Sequence, residues 1–183
     1  ACELVVRGLL PTQDAGAIKL TSWVSDEAMS SLYERFLREY YNVHHPELFP
    51  RASSIAWDYD DADAFGVEQL PAMRTDVTLR WGPRTLIIDA KYYSSSMQVG
   101  RWGKATVHSA NLYQLLTYVK NEDTGRNGSI SGLLLYARTE APKQPDLEVI
   151  IQGSRIRAQT LDLNQPWEHL ANQLEEIVRW FKD

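Results

Sequence analysis

Along residues 25 to 41 the side chains of Met29, Leu32, Tyr33, Phe36, Leu37 and Tyr40 recur at helical spacing, with Ser25 placed to cap and two acids following it. This pattern predicts an amphipathic helix. The period is lost from 42 to 71, where prolines, the His44 and His45 pair and the acidic run DYDDAD predict a loop with a short strand at SSIAW. Residues 75 to 81 and 84 to 93 are rich in Val, Thr, Leu, Ile and aromatics and flank Gly82 and Pro83. They read as a β-hairpin. Glycine at the first central position and the fixed negative φ of proline at the second suit a type II′ turn. Lys104 to Lys120 reads as a second helix through Leu112, Leu115, Leu116 and Val119, ended by NEDTGRNG. SGLLLYAR, LEVIIQG and RIRAQTLDL are three further strands, the last two joined around Gly153 and Ser154. A final helix follows Pro166, with Trp167, Leu170, Leu174, Ile177, Val178 and Phe181 on one stripe and Glu175 paired with Arg179 outside it. The order predicts an α/β fold, a sheet covered by helices on its faces.

Composition narrows this little. With 183 residues, 44% hydrophobic and 23% charged, one domain is the expectation for residues 1–183. Twenty-four acidic against 19 basic side chains give a net charge of -5, which excludes a free-standing binder held to nucleic acid by a broad basic field. The single cysteine, Cys2, forms no internal disulfide, and no stretch reads as a membrane span or signal peptide, so the cytoplasm is the expected compartment. The chain lacks an initiator methionine, and ACELVVRGLL reads as a helix stopped by Pro11, which leads us to expect a preceding region.

The hairpin carries the chemistry. If Trp81 faces Arg84, Asp76 falls directly across from Asp89, and Lys91 shares their face because residues two apart on a strand point the same way. Cross-strand Cβ atoms lie about 4.5 to 5.5 Å apart, close enough for the two carboxylates to hold one cation. Like charges set opposite each other beside an apolar run cost stability, which a divalent cation would offset. Mg²⁺ accepts hard carboxylate oxygens and leaves positions for water and phosphate, so the pattern suits hydrolysis of a phosphodiester. Lys91 would hold the attacking water or the phosphate oxygens. Against this, a D-x-K tripeptide alone is common, and an edge ion pair is the bland reading. Three further positions tilt the balance. Gln114 and Tyr118, four apart on the second helix, share a face from which an amide and a phenol reach a phosphate or a metal-held water; taken alone, packing explains them. Glu34 flanks the apolar stripe of the first helix near Leu37 and Tyr41, with a surface pair to Arg38 as the alternative.

Asp76, then Asp89-Ala90-Lys91, then Gln114 and Tyr118, with Glu34 in a preceding helix, resembles the PD-(D/E)xK nuclease superfamily in its branch with a RecB-type Q-x-x-x-Y helix. LYERFL, RTDVTL, LIIDAKYY and LYQLLTYV resemble more specifically the McrC-type nuclease subunit of modified-cytosine restriction systems, over roughly residues 25 to 137. The resemblance implies a central mixed β-sheet flanked by helices and Mg²⁺-dependent cleavage of double-stranded DNA, with Mn²⁺ able to substitute. It also implies assembly on a McrB-type AAA+ GTPase motor that recognises the modified DNA. Carried over, Asp76 and Asp89 are metal ligands, Glu34 completes the metal's shell, Lys91 is the catalytic lysine, and Gln114 and Tyr118 steady the phosphate. Arg74 and Thr75 stand where the family pattern has proline before the first aspartate.

Arg101 and Lys104, near Tyr92, Tyr93 and Trp102, form the expected DNA-backbone contact, with a basic loop as the alternative. Adjacent His44 and His45, lacking cysteine or a third spaced histidine, are poor zinc ligands, and Asp58, Asp60, Asp61 and Asp63 lack the glycine and glutamate of a calcium loop. No P-loop is present, so nucleotide hydrolysis would belong to another chain. The rival reading is a non-catalytic module in which a nuclease-like fold serves as a DNA-docking or motor-docking surface.

Overall fold

The computed structural model describes residues 26–61, 63–99 and 103–183. Helix α1 (Asp26–His44) runs three residues beyond the predicted end and buries Met29, Tyr33, Leu37, Tyr40 and Tyr41. His44 therefore belongs to the helix, its ring against Tyr40 and Trp167. The capping role expected of Ser25, together with Cys2 and Pro11, lies outside the described residues. The predicted loop holds a short 3-10 turn (Pro46–Leu48), β1 (Ser54–Ile55) and a five-residue helix α2 (Ala64–Glu68) that the pattern did not predict. Its signal lay in the acidic run: the Asp63 carboxylate accepts the Gly66 N–H at 2.6 Å, an N-cap.

β2 (Met73–Arg74) pairs with β1, and β3 (Val77–Trp81) pairs antiparallel with β4 (Arg84–Lys91) in the predicted register, Trp81 opposite Arg84. Gly82 sits at φ +56, as the first central position of a type II′ turn requires. A small ribbon of β5 (Gln98–Val99) and β6 (Ala105–Thr106) follows, so α3 (Ser109–Glu122) begins five residues later than predicted. β7 (Ile130–Ala137), β8 (Leu147–Ile151), β9 (Ser154–Leu161) and α4 (Trp167–Lys182) complete the fold. The β8–β9 turn falls on Gln152 and Gly153, one residue earlier than predicted, with φ of +49 and +85. Both positive values mark a type I′ turn.

The five-stranded sheet has the order β3-β4-β7-β9-β8, with β4, β7 and β9 parallel and the two edge pairs antiparallel, so it is mixed. Alternation along β4 sends Leu86, Ile88 and Ala90 to a core shared with α1 and α4. Ile87 goes to the other face, into a core with Leu115, Val119, Leu134 and Tyr136 beneath α3. α3 approaches closely because Gly132 on β7 has no side chain: a Cβ there would stand 2.9 Å from Leu115 Cγ and Val119 Cγ2.

On α4, Trp180 is buried as well, while Trp167, predicted on the stripe, remains 38% exposed. Trp180 donates to Glu148 Oε1 at 2.9 Å and carries the guanidinium of Arg155 over its ring at 4.7 Å. Arg179 contacts Glu176 at 3.9 Å rather than Glu175, because Glu175 turns inward to Tyr40 and His45.

Candidate active site

The side chains of Asp89 and Lys91 share the face of β4 that Ile87 buries beneath α3, at the C-terminal end of the strand. Both are unusually enclosed for charged groups, Asp89 at 2% and Lys91 at 9% exposure. Lys91 Nζ lies 2.8 Å from Asp89 Oδ2. That oxygen is shielded from solvent yet receives no well-directed hydrogen bond.

Asp76 stands just outside the ladder, which ends at Val77 opposite Ile88. Strict cross-strand pairing with Asp89 is therefore replaced by a bend. Thr75 makes the bend: its N–H donates to Ser53 O at 2.9 Å, while its hydroxyl accepts the Ser53 N–H at 2.9 Å and contacts Thr78 Oγ1 at 2.9 Å. These bonds hold the backbone just ahead of Asp76. Freed from the ladder, the Asp76 carboxylate folds back to accept the Ala90 N–H on Oδ2 at 2.7 Å.

α3 supplies the opposite wall. Lys91 Nζ donates to Gln114 Oε1 at 3.2 Å, and Gln114 Nε2 donates to the Tyr118 hydroxyl at 2.9 Å. The phenol thereby fixes the amide with its carbonyl oxygen toward the ammonium. Gln114 and Tyr118 share one face as their spacing requires, but they form a relay onto Lys91 rather than two independent arms. Glu34 comes from α1, whose apolar stripe covers the other side of the sheet, and lies near enough to Asp76 and Lys91 to feel their charges. Its expected partner Arg38 donates instead to the Asp76 carbonyl oxygen at 3.3 Å.

The electrostatics are those of gathered like charges. Asp89 is pushed up to about 6, first by burial and further by Asp76 and Glu34, against the opposing pull of Lys91. Burial also raises Asp76, opposed by the Ala90 N–H and by Lys91. Glu34 is raised by burial and then by Asp76. Burial alone would lower Lys91, but the adjacent Asp89 outweighs it and the ammonium is held above its ordinary range.

Asp89 Oδ2, buried and lacking a directed donor, fits a cation-binding oxygen, and Asp76 and Glu34 add charge of the right sign. Among the described residues no three His, Cys, Asp or Glu side chains already form a metal cluster. An ion here would take part of its shell from water, as Mg²⁺ commonly does.

Sequence reasoning missed Asn111, at 6% exposure, which donates through Nδ2 to the Tyr136 hydroxyl at 3.0 Å and accepts from the Tyr93 hydroxyl at 3.3 Å. The signal was available: Asn111 is polar on the inward face of α3, one turn before Gln114. Lys104 is exposed ahead of β6, and Arg101 and Trp102 lie outside the described residues. His45 bonds Glu175 at 2.9 Å, remote from any metal role.

Fold and site together define an α/β protein with an acid-rich, lysine-bearing cluster at the end of a central strand. No protein-family model matches the chain. It is 31% identical over 177 residues, 96% of its length, to the Type IV methyl-directed restriction enzyme EcoKMcrBC of Escherichia coli (strain K12). The similarity relates the chain to a restriction-system protein, of whose length it spans 50%. Among the described residues no helix is long and apolar enough to cross a membrane.

Proposed function

We propose that this chain is the nuclease subunit of a modification-dependent restriction system, a PD-(D/E)xK enzyme that hydrolyses the phosphodiester of double-stranded DNA with Mg²⁺. The supporting observation is the convergence of Asp76, Asp89, Lys91 and Gln114 from a hairpin and a helix, with Glu34 near enough to raise its neighbours. Similarity to a methyl-directed restriction enzyme supports the same reading. Asp76, Asp89 and Glu34 would hold the ion, which when bound supplies Lewis-acid stabilisation of charge growing on the phosphate. Lys91 keeps its proton at neutral pH, so it acts as a fixed cation rather than a base. Gln114 accepts from one of its three donors, and Asp89 stands 2.8 Å away without a directed bond, so a donor remains for a phosphate oxygen. Gln114, oriented by Tyr118, holds the ammonium against sliding away. Targeting modified cytosine and working with a GTP-hydrolysing AAA+ partner are the restriction-system parts of the proposal. A net charge of -5 suits a subunit that a partner delivers to DNA.

The rival is a nuclease-like docking module without catalysis. Activity and metal binding separate the two. With its GTPase partner and methylated duplex, the wild type should cut in Mg²⁺ or Mn²⁺, and Lys91→Ala should cut at least about 100-fold more slowly while keeping the fold. Calorimetry should show Mn²⁺ binding that Asp89→Asn loses. Equal, negligible Mn²⁺ binding by both proteins would leave only the docking module standing.

A further inference from the structure

We propose that Asn111 is a positioning residue that locks the Lys91 ammonium in place by joining β7 and the segment just past β4 to α3. Lys91 pairs with Tyr136 across the parallel β4–β7 ladder, and Tyr93 follows Lys91 by two residues. Asn111 ties both phenols at once, donating to Tyr136 and accepting from Tyr93. The Tyr93 ring is further held edge-on to Tyr136 at 6.3 Å and to His108 at 5.8 Å. One turn along the same helix, Gln114 holds Lys91 directly.

The amide thus registers the first turn of α3 against β7 and against the segment that follows Lys91. A sideways or axial shift of α3 would stretch the Gln114 bond to Lys91 and both Asn111 bonds together. A buried amide costs free energy unless both of its ends are bonded, and here each end meets a phenol from a different segment. An apolar residue in its place would pack the core as well but would not set that register. Asn111 contacts neither of the hairpin carboxylates, so its effect is confined to the lysine side of the site.

This assignment takes its activity readout from the nuclease reading, and a second readout is independent of it. Asn111→Leu removes both bonds, Tyr136→Phe removes one, and Asn111→Ser supplies a smaller polar group should the leucine variant not fold. In the intact complex, Asn111→Leu and Tyr136→Phe should each slow cleavage by about 10-fold, the lower end for residues that support a site from behind. KM for DNA and the Mn²⁺ affinity should stay within about twofold, and the double variant should be no slower than the worse single variant, since the two act through one bond. Independently of cutting, amine acylation followed by mass spectrometry should label Lys91 several-fold faster in either variant, with Lys104 unchanged. Wild-type labelling of Lys91 in all variants would overturn the proposal, as would a parallel fall of rate, DNA affinity and Mn²⁺ affinity, which marks general loosening. If the wild type fails to cut but Lys91 labelling still responds, the nuclease reading fails and the positioning role stands.

Discussion

Two clusters in this molecule set a carboxylate beside a basic side chain, and they differ in a way that separates structure from chemistry. At the junction of α1 and α4, Glu175 accepts from the Tyr40 hydroxyl at 2.7 Å and meets His45 Nε2 at 2.9 Å. Partial burial pulls its carboxyl upward, but the bonds from Tyr40 and His45 outweigh this and hold it below the usual range. At the hairpin, Asp89 has the Lys91 ammonium at 2.8 Å and is nevertheless pushed up to about 6, because it is more deeply buried and shares the site with Asp76 and Glu34. The first cluster has more donors than charge to satisfy, and the second has more negative charge than donors. Folding completes the first and leaves the second short of a positive partner.

The largest effect that breaks this comparison on one side only is expected at Gly132. A methyl there would stand 2.9 Å from both Leu115 Cγ and Val119 Cγ2, atoms near the backbone of α3 that cannot swing aside freely. Gly132→Ala should therefore push α3 from β7 and cost about 1 to 3 kcal/mol, seen as a fall of about 2 to 4 °C in Tm per kcal/mol. Cleavage should fall further than stability requires, because Gln114 retreats from Lys91. The ring signals of His45 in an NMR spectrum should stay put, since α1 and α4 cover the other face. Loss of both clusters together would mean that the two faces are not independent.

Next in size is the dependence on pH. Asp89 is raised in the folded state, so the fold holds that proton more tightly than the unfolded chain does. Metal-free stability then falls as pH rises from about 4 through about 6. Asp76 and Glu34 are raised too and act in the same direction. A cation needs the ionised carboxylates, so the Tm gain from Mn²⁺ should grow through this same window. Affinity at pH 5 should be about tenfold weaker than at pH 7, which is about 1.4 kcal/mol. A gain from Mn²⁺ that is unchanged at pH 5 would place the ion elsewhere.

Strand alternation and the Gly82-Pro83 turn made the face of Asp76, Asp89 and Lys91 legible in the sequence, because a two-residue turn fixes register by counting. The departure of Asp76 from the ladder was not legible, since it depends on Ser53, twenty-two residues from Thr75. Spacing alone put Gln114 and Tyr118 on one face of a helix, but their relay onto Lys91 needed the close seat that Gly132 gives α3. Asn111 was hidden for a related reason: one partner lies on β7 and the other just past β4, and the period of a helix says nothing of either. The Glu175–Arg179 pair was read from i,i+4 spacing, and the buried Tyr40 and half-buried His45 outcompeted the solvated arginine for that carboxylate.

The smallest effects give the sharpest form of the comparison, because the same kind of change should act with opposite sign at the two clusters. Glu175→Gln weakens the bonds from Tyr40 and His45 and should destabilise the protein at pH 7 by about 1 kcal/mol, modest because the carboxylate is partly solvated. Glu175 is lowered in the folded state, so its contribution is present above the unfolded value and is lost as pH falls through the folded one. The cost of Glu175→Gln should therefore disappear in acid. Asp76→Asn keeps an oxygen able to accept the Ala90 N–H and removes one of the repelling charges. Metal-free stability should then hold or rise slightly, by about 0.2 to 1 kcal/mol, with the gain also vanishing in acid as the wild-type carboxyl protonates. In Mn²⁺ the sign should invert, because wild type is stabilised by the ion and Asp76→Asn is not. Thermal scans of both variants at pH 4 and pH 7, with and without Mn²⁺, read all of these signs. A clear metal-free loss from Asp76→Asn at pH 7 would show that Asp76 is already satisfied by its neighbours, and would remove the electrostatic ground for an ion at the hairpin.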